Sequence, residues 1–217
     1  MDEARAGAPA GTVAVADHQS AGRGRLGRTW EAAAGSSLLT SILLRPELPP
    51  DRLHLVTAAV ALAAADAITD AAGFTPDLKW PNDLLVDDRK LAGVLAEADL
   101  PAVVVGIGIN LNWDGPVPNG GVAANQVAGR PVDRDEVLLR MLEHLGPRTT
   151  GWDGVASEFR RRCATLGRVV RVDLPDESFT GTASDVSDEG HLLVDVGMCL
   201  RTVSAGDVVH LRAVGKG

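Results

Sequence analysis

Hydrophobic and polar positions along this chain fall into two textures. Up to about residue 165, strand-length apolar runs alternate with longer stretches of helical period; from Arg168 onward, short alternating strands follow one another closely. Residues 11–16 and 37–44 read as strands, the second ending at Arg45-Pro46. After Pro49-Pro50, Asp51 is placed to cap a helix. Its apolar positions Leu53, Val56, Val60, Ala63 and Ala67 follow the three-and-four spacing of one buried face, and Gly73 stops it. Residues 77–80 and 102–111 read as extended, as does a hairpin of 84–86 with 91–97 turning at Asp87-Asp88-Arg89-Lys90.

Residues 115–130 are rich in Gly, Pro and Asn and predict a long surface loop over a site. Two helices are expected over 133–145 and 152–164, broken by Gly146-Pro147. The strands predicted beyond them, 169–172, 178–186, 191–196, 200–203 and 208–211, suggest a small barrel. Strands joined by short turns, with helices beside them, predict an α+β fold with a mixed sheet flanked by helices. The change of texture divides the chain into units at 1–165 and 166–217.

Composition narrows the function. The chain has 217 residues, 45% of them hydrophobic, and a formal net charge of -8. A sequence pI of about 5.1 argues against a nucleic-acid partner, which needs a broad basic surface. Tyr is absent and Phe contributes three residues, leaving little for base stacking. The most apolar stretch, 55–65, is short of the ~20 residues that span a bilayer, and the acidic N-terminus does not read as a signal peptide. No membrane association and a cytoplasmic location are expected. Cys163 and Cys199 stand alone, and His18, His54, His144, His191 and His210 lack metal-ligand spacing, so no metal site is expected.

Three strings carry the chemistry. Gly22-Arg23-Gly24-Arg25-Leu26-Gly27-Arg28-Thr29-Trp30 puts three glycines and three arginines into nine residues of an acidic protein. Glycine lets backbone N–H groups and a ligand approach closely, and arginine supplies a planar charged fork for carboxylate or phosphate. A solvated basic turn accounts for this string about as well. Lys79-Trp80-Pro81-Asn82-Asp83 sets Lys79 at a strand end with a fixed direction, where it can neutralise phosphate or simply face solvent. Lys90 has the same two readings, with a weaker claim because it falls in a charged bend. In 103–112, period two puts Gly106, Gly108, Asn110 and Asn112 on one face and Val105, Ile107, Ile109 and Leu111 on the other. Two glycines on one face predict close approach by a ligand or another backbone. The string is not a dinucleotide fingerprint, since the third glycine and its helix are missing.

In their order, with Gln19 ahead of them and Arg89-Lys90-Leu91-Ala92-Gly93 between the last two, these strings resemble the biotin protein ligase family. The resemblance covers most of the chain and extends to Gly206-Asp207-Val208-Val209-His210-Leu211-Arg212 as a closing strand. It implies a fold related to class II aminoacyl-tRNA synthetases followed by a small Src-homology-like barrel. It also implies joining of biotin and ATP, with Mg²⁺, into biotinyl-5′-adenylate. Transfer to a lysine of the biotin carboxyl carrier domain of an acyl-CoA carboxylase follows. By resemblance, Gln19, Arg23, Gly24, Arg25, Lys79, Gly106 and Gly108 line the biotin side. Arg25, Arg28, Trp30, Lys79 and Asn110 serve the adenylate, and Lys79 and Arg25 are the catalytic cations.

The chain begins Met1-Asp2-Glu3-Ala4-Arg5, without the family's Ser-Thr-Asn string or a winged-helix DNA-binding domain ahead of it. A biotin pocket lacking one strand, and no repressor role, are the corresponding expectations. A lipoyl or octanoyl ligase of the same superfamily, and a ligand- or carrier-binding protein without turnover, are the alternatives.

Overall fold

The structure is a computed structural model, described over residues 1–211; Arg212, the last residue of the closing-strand string, lies outside them. A short helix α1 (Asp2–Arg5) precedes β1 (Val13–Ala16) and β2 (Ser37–Leu44). The long helix α2 (His54–Ala72) is followed by β3 (Asp77–Lys79), β4 (Asp83–Val86), β5 (Arg89–Asp99) and β6 (Ala102–Asn110). These six strands form one sheet in the order β1-β2-β6-β5-β4-β3, every neighbouring pair antiparallel. Helices α3 (Ala124–Ala128), α4 (Arg134–Thr150) and α5 (Val155–Arg162) come next. A second antiparallel sheet is built from β7 (Val169–Asp173), β8 (Ser178–Val186), β9 (Leu192–Asp195), β10 (Leu200–Val203) and β11 (Asp207–His210), in the order β10-β9-β8-β7-β11.

The core forms around α2. One buried face was expected, but 14 of its residues are buried, from Leu55 to Ala72, because it packs on α4 and α5 as well as on the sheet. Alanine makes this possible: a helix with small side chains can be approached closely from several sides and loses no side-chain entropy there. The stretch Pro50–Ala72, 23 residues, is long and apolar enough to cross a bilayer by composition, well beyond the short run expected; 78% of its most apolar window is buried inside the protein. Asp51 is not the cap. It lies in a 3₁₀ turn, Pro50–Arg52, and Leu53 precedes the helix without a side-chain cap. Gly73 does end it, at φ 81° with its N–H on Thr69 O.

The hairpin turn is shorter than predicted. Asp87 and Asp88 both have positive φ, 51° and 60°, as a two-residue turn between twisted strands requires. Arg89 and Lys90 therefore belong to β5, where Lys90 pairs with Leu85. Helix α4 also runs through Gly146-Pro147 instead of breaking there. Just past the proline, Arg148 reaches Asp66 of α2 at 2.7 Å and Glu158 of α5 at 2.5 Å, and Arg162 reaches Asp66 at 2.6 Å. This ion cluster ties the three helices together. The segment 115–130 holds a 3₁₀ turn and α3, and Val122, Ala123 and Ala124 are buried, so it is not a plain surface loop.

Trp80 joins the second sheet to the first unit: its indole N–H donates to Gly190 O, in the turn before β9, at 2.9 Å, while its backbone N–H is held inside the first unit by Thr165 Oγ1 at 3.0 Å.

Candidate active site

The glycine-arginine string is a narrow hairpin. Trp30 N–H donates to Gly22 O at 3.0 Å, Gly24 N–H to Arg28 O at 2.6 Å, and Arg23 bridges Thr29. The chain reverses at Leu26 and Gly27, φ 55° and 73°. A Cβ on Gly22 would collide with the Trp30 carbonyl, so close crossing of the two arms requires glycine there. Gly24 does not offer its N–H to a ligand, because it spends it inside the hairpin, as Trp30 does. The arginine side chains face the cavity instead.

Beneath the hairpin lies a floor of two glycines. Gly93 of β5 and Gly108 of β6 are cross-strand partners, and the Trp30 indole rests against both. A Cβ would lie 2.5 Å from Trp30 Cε2 at Gly108 and 3.4 Å from Cζ3 at Gly93. The close approach predicted for Gly108 is thus met by the chain's own tryptophan. At Gly106 the nearest atom would be Ser41 Oγ at 3.6 Å, which leaves that part of the floor open to a ligand. Asn110 ends the glycine face, its amide donating to Val122 O at 3.3 Å. Asn112 lies past β6 and donates to Val132 O.

A cavity of about 680 Å³ opens between hairpin and floor, a size suited to a cofactor-sized molecule. Nine of the ten predicted site residues line it: Gln19, Arg23, Gly24, Arg25, Arg28, Trp30, Gly106, Gly108 and Asn110. Lys79 does not. It sits half-buried at the end of β3, close enough to Asp207 and His210 to act on their charge. The lysine in the cavity wall is Lys90, 5.6 Å from the centroid of the Trp30 ring and 2.7 Å from Asp83 Oδ1. Lys90 is not in an exposed bend, because the short turn puts it on β5 beside the floor.

The cavity is electrically balanced in the free protein. Arg23, Arg25, Arg28 and Lys90 face the carboxylates of Glu31, Asp83, Glu97 and Asp207, four charges of each sign. Arg23 is paired with Glu97 at 2.9 Å and Arg28 with Asp207 at 2.8 Å. Arg25 reaches neutral oxygens, Asn82 Oδ1 at 3.2 Å and Gly206 O at 3.1 Å. Burial lowers its pKa, with Asp207 and Asp83 opposing the shift. Burial raises the pKa of Asp207, but the hydrogen bond and charge of Arg28, with Lys79 and Arg25, hold it below the ordinary carboxylate range. Asp83 and Asp207 fall inside strings the sequence singles out, but nothing there pairs them with these cations, and Glu97 falls in none. Asp207 comes from β11 of the second sheet, 179 positions after Arg28. Among the described residues no three His, Cys, Asp or Glu side chains are grouped to hold a metal ion.

Comparison with known proteins agrees with this geometry. The sequence model of the Biotin/lipoate A/B protein ligase family matches residues 3–114, and that of the Biotin protein ligase C terminal domain matches 165–211. The biotin--[acetyl-CoA-carboxylase] ligase of Mycobacterium tuberculosis is 38% identical over 212 residues, covering 93% of this chain and 80% of that protein. The bifunctional ligase/repressor BirA of Bacillus subtilis is 31% identical, covering 93% of this chain and 66% of that protein. Among solved structures, the biotin protein ligase from Aquifex aeolicus in complex with biotin and ATP superposes with a TM-score of 0.82 at 29% identity, over 94% of this chain and 90% of that one. The second family match falls on the unit that supplies Asp207 to the cavity. With both sheets accounted for, the chain belongs to the biotin protein ligase family.

Proposed function

We propose that the cavity under the glycine-arginine hairpin joins biotin to ATP as biotinyl-5′-adenylate, and that the biotinyl group then passes to a lysine of a carboxylase carrier domain. The observation that carries this reading is that Arg25, Arg28 and Lys90 line one cavity with the open Gly106 end of the floor, in a chain of this family. In the first step a biotin carboxylate oxygen bonds to the α-phosphorus, the bond from that phosphorus to the bridging oxygen breaks, and pyrophosphate leaves. Two anions must approach each other, so the step needs fixed cations already aimed at the developing charge. Lys90, held by Asp83 and Trp30, fills the role first expected of Lys79. Gln19, Arg23, Gly24 and Gly106 belong to the biotin side, and Arg28, Trp30 and Asn110 to the adenylate side. Arg25 stands between them.

In the second step the neutral carrier amine attacks the acyl carbon, the bond to the AMP oxygen breaks, and the amine gives up a proton. Glu97, Asp207 and Asp83 each lie against a cation, and no three such ligands are grouped among the described residues, so these side chains do not make a Mg²⁺ site on their own. The biotin protein ligase C-terminal domain favours biotin over a lipoyl or octanoyl substrate. Incubating the full chain with ATP, an isolated carrier domain and biotin, lipoate or octanoate in turn tests the reading. Carrier labelling with biotin alone supports it; labelling by lipoate or octanoate, or none, overturns it.

A further inference from the structure

Arg23 does not stand free in the cavity. Its guanidinium meets the Glu97 carboxylate through two contacts, Nη1 to Oε1 at 2.9 Å and Nη2 to Oε2 at 3.0 Å. This is the two-pronged arrangement an arginine offers to any carboxylate ligand. The partners lie 74 positions apart, on the hairpin and on β5, and both line the cavity. A carboxylate of the chain itself thus fills the fork that an acid substrate needs.

We propose that Glu97 is an intramolecular competitor for the acid substrate, holding Arg23 until the carboxylate of the ligand replaces it. The inference rests on the ligase reading above and adds a positioning residue to it. The pair is suited to exchange. The Arg23 side chain is 70% exposed and that of Glu97 36%, so the bond is an exposed one with a small net strength. Once displaced, Glu97 turns to water, and no buried charge is left without a partner. Asp83 differs, because only 17% of its side chain is exposed beside Lys90 and losing that partner would leave a largely buried carboxylate alone. Glu97 also adds a negative charge where an anion must bind, and its removal takes away both competition and repulsion.

A purely structural role for Glu97 makes the opposite prediction. If the pair serves only to hold the hairpin over the floor, breaking it loosens the site and weakens binding. Glu97→Gln keeps the size and removes the charge, so the sign of the change separates the two. With the full chain, calorimetric titration with biotin gives Kd, and pyrophosphate release gives KM and kcat. The expected result is a Kd and KM for biotin about two- to fivefold lower than wild type, with kcat unchanged, the fold-change matching the worth of an exposed pair. In an Arg23→Gln background the same substitution is expected to give a clearly smaller gain, because the contested fork is gone and only the repulsion is relieved. A Kd unchanged or raised in Glu97→Gln, or an equal gain without Arg23, overturns the proposal. Biotin-dependent pyrophosphate release in the wild-type chain tests the ligase reading separately.

Discussion

Trp30 and Gly108 fit together as ring and seat: a Cβ on Gly108 would lie 2.5 to 2.8 Å from three atoms of the indole. No alanine can occupy that strand position while Trp30 stays where it is. Gly108→Ala should therefore displace the indole, at a destabilisation of about 1–3 kcal/mol, the usual range for adding a methyl group to a packed site. If Trp30 presents a stacking face to the adenine, KM for ATP should rise at least about tenfold while the overall fold survives. Melting temperature and ATP-dependent steady-state kinetics check both parts.

Among the described residues the second sheet reaches the active site through the ion pair of Arg28 with Asp207 at 2.8 Å, beside the Arg25 contact to Gly206 O. Asp207→Asn should leave Arg28 without its charged partner and let the hairpin move. Protease cleavage within residues 21–28 should rise in the free protein and fall again when biotin and ATP are both present. Cleavage that matches wild type in both conditions would show that the hairpin does not depend on the second sheet.

His210 makes stability depend on pH. Burial, with the positive charges of Lys79 and Arg168, brings its pKa down to about 4 against the opposing pull of Asp88 and Asp83, and its Nε2 lies 3.0 Å from Thr165 Oγ1. The folded state therefore favours the neutral ring. Its contribution is present above the ordinary histidine pKa of about 6.5 and is lost as pH falls from there towards about 4, because the unfolded chain takes up the proton first. His54 adds in the same direction, its pKa lowered by burial and by the nearby charges of His191 and Arg25. Denaturant unfolding of wild type and His210→Gln from pH 8 to pH 4 should show a gap between them that narrows on acidification.

Much of the fold is legible in the sequence because the features that mark it are local. The strands over 37–44, 178–186 and 200–203 coincide with β2, β8 and β10, since a strand-length run bounded by turn residues is recorded in adjacent positions. The glycine face of β6 follows from period two alone, and the hairpin arginines from their own cluster. What the sequence does not record depends on conformation or on distance. Choosing between Lys79 and Lys90 turns on whether Asp87 and Asp88 both adopt positive φ, which the residue types permit but do not dictate. The burial of α2 on several sides needs α4 and α5 in place. The partners Glu97 and Asp207 lie 74 and 179 positions from their arginines; Asp207 falls inside the closing-strand string, but nothing there pairs it with Arg28, and Glu97 falls in no string.

The most direct measurement is biotin-dependent exchange of labelled pyrophosphate into ATP by the wild-type chain, Lys90→Ala and Lys79→Ala. The wild-type chain should exchange only with biotin present. Lys90→Ala should fall by about two to three orders of magnitude, the usual loss when a cation fixed at a developing anion is removed, and Lys79→Ala by less than about tenfold. No biotin-dependent exchange in the wild type, or Lys90→Ala at a near wild-type rate, would contradict the assignment of this cavity.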